Sequence, residues 1–129
     1  MIMRTLLKYL PATLFAALLL SSCEKAYLTP KKVEITTPVS FTTDIVPILS
    51  EDCATSNCHV GGGPPPNLSA DKAYDNLTGL GYVDTANAEG SLLYKRIVAT
   101  TNPMPPSGKL TPEEKGYILA WIKQGAQNN

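Results

Sequence analysis

The sequence predicts a small α-helical domain with long loops. Apolar residues recur three and four positions apart in several segments after the first third of the chain, which is the spacing of one helix face. Eleven prolines and nine glycines among the 129 residues interrupt regular structure between these segments. A chain of this length forms one domain at most, and its own apolar core leaves it only marginally stable.

The first helix is predicted just before the first cysteine of this domain. One helix face carries Ile45, Ile48, Leu49 and Cys53. Either Thr42 or Thr43 is the expected N-cap. Pro47 belongs in the first turn, because a proline further along would break the hydrogen-bond ladder.

Two short helices are predicted in the middle of the chain. Ser69 is the expected N-cap of the first, and Gly79 ends it. Asn87 or Glu89 opens the second, whose overlapping faces carry Leu92, Leu93, Arg96 and Ile97.

The last helix has the clearest signals. Thr111 is the predicted N-cap, Pro112 takes the first helical position, and Glu114 completes a capping box. Gly125 is the predicted stop. The apolar stripe of this helix consists of Ile118, Trp121 and Ile122.

The first 22 residues have the order of a secretory signal peptide. A basic start precedes an apolar run from Tyr9 to Leu20, which is shorter than the ~20 residues of a membrane span. The following Leu20-Ser-Ser-Cys23 resembles a bacterial lipobox, so residues 1–22 are expected to be removed and Cys23 to carry acyl chains. Two or three such chains anchor a protein stably in a membrane leaflet. The alternative is a cleaved secretory protein in which Cys23 has no special role.

Residues 23–40 are predicted to be a lipidated N-terminus and flexible tether. Pro30, Pro38 and repeated threonines leave no apolar period in this segment. A short packed β-strand over residues 33–35 is the alternative. The folded domain is predicted to cover residues 41–129.

The most informative stretch is Cys53-Ala-Thr-Ser-Asn-Cys58-His59. Two cysteines followed directly by a histidine are typical of c-type haem attachment, in which the sulfurs bind the haem vinyl groups and the imidazole binds the iron. The usual spacing has two residues between the cysteines, whereas this chain has four. Since Cys23 is assigned to lipid, the three cysteines leave one pair for haem.

Other chemistry at this stretch has weaker support. A Cys53–Cys58 disulfide suits an oxidising compartment but leaves His59 without a role. A thiol oxidoreductase typically has two residues between its cysteines beside a βαβ pattern, and the sequence has neither. A structural zinc site needs four ligands, which one histidine and one cysteine pair do not supply. The disulfide and the redox dithiol stay open as alternatives.

Met104 is the only methionine left once the signal peptide is removed. Pro103, Pro105 and Pro106 flank it, which predicts a stiff extended loop. Core methionines ordinarily fill gaps on helices, so a methionine between prolines indicates a special role. A buried loop residue is the alternative.

Four features in this order resemble a single-domain, mono-haem class I cytochrome c over residues 41–128. They are the Cys-x4-Cys-His motif, a Gly/Pro run ending in Pro66-Asn-Leu68, the Met104-Pro-Pro segment and the capped last helix. The resemblance implies an all-α cytochrome c fold, with three to five short helices wrapped around one covalently bound haem. It also implies that the last helix crosses the first.

The same resemblance implies the site residues. Haem c is held by Cys53 and Cys58, and its iron is bound by His59 and Met104. The remaining implied contacts are a hydrogen bond from His59 Nδ1 to the Pro66 carbonyl and packing of Leu68 on the haem. Four other side chains could contact the macrocycle or a propionate, but core or surface roles are favoured for them: Tyr74, Tyr82, Tyr94 and Arg96. For Trp121, packing in the core is at least as well supported as a hydrogen bond to a propionate.

The implied function is one-electron transfer in the bacterial cell envelope, facing the periplasm or the cell surface. The expected partners are redox proteins and, through Cys23, a membrane; no catalytic residues are assigned, because a carrier is not an enzyme. A formal net charge of zero gives no electrostatic case for nucleic acid. The alternatives are a haem enzyme or small-ligand sensor with a labile Met104, and a haem-free lipoprotein with a Cys53–Cys58 disulfide.

Overall fold

The computed structural model describes residues 32–108 and 110–129. These residues form four α-helices and no strand: α1 is Val46–Asp52, α2 is Ala73–Gly79, α3 is Leu92–Val98 and α4 is Pro112–Lys123. A π-helical turn, Phe41–Ile45, leads directly into α1, and a 3-10 turn, Ala88–Gly90, precedes α3. The prediction of an all-α domain with long loops is confirmed for this part of the chain. The predicted signal peptide and Cys23 lie outside it.

The start of the first helix differs from the prediction. Ser40, and not Thr42 or Thr43, is the N-cap, and its hydroxyl accepts a hydrogen bond from the Thr43 N–H at 3.3 Å. The turn that follows is π-helical, with the Val46 N–H donating to the Phe41 carbonyl. Pro47 explains the wide turn, because its ring has no N–H and crowds the carbonyl four residues earlier.

The two middle helices also start differently. Lys72 is the N-cap of α2, because the Ser69 carbonyl closes a preceding turn by accepting from Lys72 N and Ala73 N, both at 2.8 Å. Gly79 ends α2 as predicted. The predicted helix from Asn87 is broken at Ser91, which has extended backbone angles. The buried Ser91 hydroxyl accepts from the N–H of Asp84 at 2.8 Å and lies 3.2 Å from its carbonyl, and this fixes the break.

The core lies between the first helical segment and α4. Trp121 is fully buried, and its ring centroid lies 5.1 Å from that of Phe41, which in turn meets Tyr74 edge-on at 5.3 Å. The Trp121 indole N–H donates to the Gln127 carbonyl at 2.9 Å, which gives Trp121 a structural role in the core. Four further apolar side chains of these helices are fully buried: Ile45, Leu49, Ile118 and Ile122.

The segment before Phe41 lies along α4. Gln124 binds it twice, accepting from Val39 N at 2.8 Å and donating to the Thr37 carbonyl at 2.9 Å. Val39 is buried, and the Val33 carbonyl lies so close to Gly116 that a Cβ there would be 2.8 Å away. The packed part of the chain therefore begins before residue 41, and the predicted tether is shorter at its C-terminal end. No strand forms at residues 33–35.

A cluster of exposed ion pairs joins the start of this segment to Glu89 in the 3-10 turn. Lys32 Nζ lies 2.6 Å from Glu89 Oε1, and Lys123 Nζ lies 3.5 Å from the same oxygen. The hydrogen bond to Glu89 raises the pKa of Lys32, and the same contact lowers the pKa of Glu89. No helix among the described residues is long and apolar enough to cross a membrane.

The capping box of α4 is present as predicted. Thr111 Oγ1 accepts from Glu114 N at 3.2 Å, and Glu114 Oε2 accepts from Thr111 N at 2.6 Å. Thr111→Ala is expected to lower the free energy of unfolding by about 1 kcal/mol, because one helix N–H loses its partner. Chemical denaturation measures the change. Thr101→Ala is the matched control: this exposed threonine has no side-chain hydrogen bond among the described residues, and an equal loss there would contradict the capping role.

Candidate functional site

One cavity of about 510 Å³ collects every predicted site residue of the domain. Its lining includes both cysteines and the histidine of the motif, the two proline loops and one face of α3. The six predicted residues on its walls are Cys53, Cys58, His59, Pro66, Leu68 and Met104. This size is typical of small-molecule sites, which span ~300–1,000 Å³.

The loop from Cys53 to His59 accommodates four residues between the cysteines by forming a turn. Cys58 N donates to the Thr55 carbonyl at 2.9 Å, and His59 N donates to the Cys53 carbonyl at 3.1 Å. Asn57 has φ of 65°, a left-handed conformation that asparagine tolerates better than most residues. The exposed turn at residues 55–57 takes up the extra length, while both cysteines and His59 still line the same cavity.

The two cysteines are free thiols in different environments. Cys53 is buried at the end of α1, and Cys58 is half-buried. Burial, with smaller effects from Asp52 and Cys58, raises the pKa of Cys53 to about 11. Reactive redox thiols have a lowered pKa and stand in electropositive surroundings, so Cys53 does not have the character of a dithiol nucleophile.

The backbone carbonyls around His59 select its tautomer. His59 Nδ1 lies 3.1 Å from the Pro66 carbonyl oxygen and 3.2 Å from that of Pro64. Since carbonyls only accept hydrogen bonds, Nδ1 carries the proton, and in the neutral imidazole Nε2 is then the nitrogen with the lone pair. The contact with Pro66 is the one implied from the sequence, whereas the Pro64 partner was not predicted. Leu68 N donates to the His59 carbonyl at 2.7 Å, which closes the loop.

Met104 reaches the cavity from the loop before α4. Its N–H donates to the Arg96 carbonyl at 2.9 Å, so the backbone of this loop is attached to α3. The residue is 36% exposed, and the loop is closed further along by Gly108 N donating to the Pro105 carbonyl at 2.8 Å. The backbone therefore holds Met104 in the cavity wall, and the residue stays partly exposed.

The other aromatic and basic candidates separate into two groups. Tyr82 and Arg96 line the cavity. Tyr74 packs against Phe41, and Tyr94 is buried away from the cavity lining. Leu92, Leu93 and Ile97, which belong to a predicted helix face, also line the cavity but were not predicted as site residues. Seven other wall residues were not predicted either: Asp52, Asn57, Pro64, Pro65, Leu77, Pro105 and Pro106.

Gly63 is required by the loop that follows His59. A Cβ at this position would overlap the Cys58 carbonyl, and Gly63 N donates to the Val60 carbonyl at 2.9 Å. Gly63→Ala is expected to lower the free energy of unfolding by about 1–3 kcal/mol, because the backbone of the cysteine loop has to move. Denaturant titration measures the loss. Gly61→Ala is the control, since a Cβ there meets only Asn67 Nδ2 at 3.9 Å; comparable losses in both variants would contradict the assignment.

The donor set of the cavity fits a covalently attached haem. It offers two free thiols, an imidazole whose Nε2 has a free lone pair, and a thioether, above an apolar wall that includes Leu68, Leu77 and Ile97. Among the residues that the structure describes, no group of three or more His, Cys, Asp or Glu side chains is arranged to hold a bare metal ion.

Comparisons with known proteins return no relative. No protein-family model matches the chain, and no curated protein and no solved structure matches it significantly.

Proposed function

We propose that this chain is an electron carrier with one covalent haem c. In this proposal the domain has a cytochrome c fold around the haem, which Cys53 and Cys58 hold through thioether bonds. His59 Nε2 and the Met104 sulfur would bind its iron, and Leu68 would pack against the ring. When bound, the haem supplies a one-electron couple between ferric and ferrous iron.

The observation that carries the proposal is the convergence of these side chains on one cavity. They come from segments that are far apart in sequence, and a motif matched by chance gives no reason for Met104 to line the same cavity as His59 and both cysteines. The Pro64 and Pro66 carbonyls support the same reading, because a bonded Nδ1–H orients the ring and makes Nε2 a better ligand. The apolar walls of the cavity limit the access of water to the site. A soft thioether ligand raises the reduction potential of haem iron.

The proposed setting is the bacterial cell envelope. There the signal peptide of residues 1–22 is removed and Cys23 is lipidated, so that the domain faces the periplasm or the cell surface. The partners are redox proteins that deliver or accept single electrons. In this role the protein carries electrons and does not itself turn over a substrate.

A spectroelectrochemical titration tests the function. The protein is produced in a host that attaches c-type haem, and its absorbance is followed through oxidation and reduction. We expect one reversible couple that fits a one-electron curve. A protein without a reversible couple, or one whose haem is consumed during cycling, would contradict the carrier role.

A second candidate function is a haem enzyme or ligand sensor in which Met104 dissociates. The observation that favours it is that residue Met104 is 36% exposed. Carbon monoxide added to the ferrous protein separates the two: the carrier keeps its spectrum at micromolar gas, whereas a labile methionine is displaced. A haem-free lipoprotein with a Cys53–Cys58 disulfide is separated from both by the absence of any haem absorbance.

A further inference from the structure

Residues 32–38 form an extended segment along α4, which we call the strap. Within the strap only Val33 and Ile35 are half-buried and the other residues are exposed, whereas the next residue, Val39, is buried in the core. Among the described residues, no backbone–backbone hydrogen bond joins the strap to the rest of the chain. Segments with few buried contacts and few hydrogen bonds open locally while the rest of a domain stays folded.

Three contacts hold the strap on the domain. Lys32 forms the exposed ion pair with Glu89 at one end. The Thr37 carbonyl accepts from Gln124 Nε2 at the other end. Between these ends the strap lies over α4, and residues 32–36 and α4 together line a cavity of about 560 Å³. The strap is therefore attached to the helix without being closely packed on it over most of its length.

The middle contact depends on Gly116. A glycine inside a helix is less favourable than alanine, so its presence in α4 needs a reason in the packing. A Cβ at this position would lie 2.8 Å from the Val33 carbonyl oxygen and 3.4 Å from Ile35 Cγ1. The missing side chain lets the backbone of the strap approach the helix, and this approach explains the glycine.

We propose that the strap is a releasable part of the membrane tether, and that its attachment to α4 sets how far the domain reaches from its lipid anchor. With the strap attached, the nine residues 23–31 span at most ~30 Å when fully extended. Release adds the seven strap residues, and the resulting sixteen residues span at most ~55 Å. This inference rests on the lipidation of Cys23 in the proposed function.

A glutamate-specific protease tests whether the strap opens by itself. The lipidated holoprotein is bound to phosphatidylcholine vesicles, and cleavage after Glu34 in the strap and Glu51 in α1 is followed by mass spectrometry. We expect Glu34 to be cut at least about 100-fold faster than Glu51, because strap opening leaves the helices folded. A free peptide of residues 28–40 is expected to be cut at least about tenfold faster than the protein. Equal rates in either comparison would overturn the proposal.

Two variants show which contacts hold the strap. Gly116→Ala is expected to raise the cleavage rate after Glu34 about tenfold without a change at Glu51, because the added Cβ displaces the strap. Gly79→Ala is the matched control, since a Cβ there meets nothing within 4 Å. Its rate is expected to stay within about twofold of the wild-type rate. Equal rates in the two variants would overturn the role of the strap contact.

Neutron reflectometry on a supported phosphatidylcholine bilayer measures the reach of the domain. The r.m.s. length of a flexible chain is about 5–6 Å × √n, so release lengthens the tether from ~17 Å to ~22 Å. The protein layer of the Gly116→Ala variant is expected to lie about 5 Å farther from the bilayer than that of Gly79→Ala. Equal distances would overturn the control of reach.

The outcomes separate this inference from the electron-carrier function. Neither measurement depends on the redox activity of the haem, so the absence of a reversible couple overturns only the carrier function. A normal couple in a protein whose Gly116→Ala and Gly79→Ala variants behave alike overturns only the strap. A purified chain without acyl groups on Cys23 overturns the anchoring, and with it the control of reach.

Discussion

Met104→Ala is expected to lower the reduction potential of the protein by roughly 0.2 V, a part of the ~0.8 V range over which axial ligands set haem potentials. In the proposed haem site the Met104 thioether is a soft ligand that favours ferrous iron, and alanine would leave its place to water or another hard ligand. Spectroelectrochemistry measures the shift, and the far-red absorbance band that reports methionine ligation of ferric haem disappears with it. The haem itself stays attached, because the cysteines are unchanged.

Leu92→Ala provides the matched control for this shift. Leu92 lines the same cavity, is 44% exposed against 36% for Met104, and has no atom that can bind iron. We expect a much smaller change of potential and an unchanged far-red band. An equal shift in both variants would mean that solvent access, and not ligation by Met104, sets the potential. An unshifted Met104→Ala protein would contradict the ligand assignment outright.

Trp121→Ala is expected to lower the free energy of unfolding by about 3–5 kcal/mol, which is the usual cost of removing a large aromatic side chain from a core. The indole is fully buried, stacks near Phe41 and donates its N–H to the Gln127 carbonyl. A domain of this size has a total stability of only 5–15 kcal/mol. Denaturant unfolding followed by circular dichroism measures the loss.

Trp121→Phe separates the two contributions of the indole. Phenylalanine keeps most of the apolar packing but leaves the Gln127 carbonyl without its donor, so a loss of about 1–3 kcal/mol is expected. The reduction potential is expected to be nearly unchanged, because the indole N–H binds the Gln127 carbonyl and Trp121 does not line the cavity. A large shift of potential in Trp121→Phe would contradict this structural role.

The ends of helices were predictable where side-chain chemistry decides them locally. The capping box at Thr111 and Glu114 and the stop at Gly79 depend on contacts within three or four residues, and both are present. The start at Ser40 was missed because Pro47, seven residues later, imposes a π turn. The break at Ser91 was missed because its cause is a hydrogen-bond pair with Asp84, which helical periodicity does not reveal.

The site residues were predicted from the order of the motifs along the sequence. In the structure they line one cavity, and this arrangement does not test their individual roles. His59 with Pro66 was implied by the resemblance, whereas the second carbonyl at Pro64 depends on the path of the proline loop. The four-residue spacing looked like a defect in the sequence alone. In the structure the spacing is a turn closed by Thr55 and Cys58, with Asn57 in the left-handed conformation that this turn requires.

The mass of the denatured chain tests the central claim most directly. The protein is produced with c-type haem maturation, denatured, and analysed by mass spectrometry and haem staining. We predict a chain heavier than its polypeptide by one haem, with the haem peptide mapping to the segment that contains Cys53, Cys58 and His59. The double variant Cys53→Ala/Cys58→Ala is predicted to retain none. A wild-type chain that carries no haem after denaturation would contradict the account.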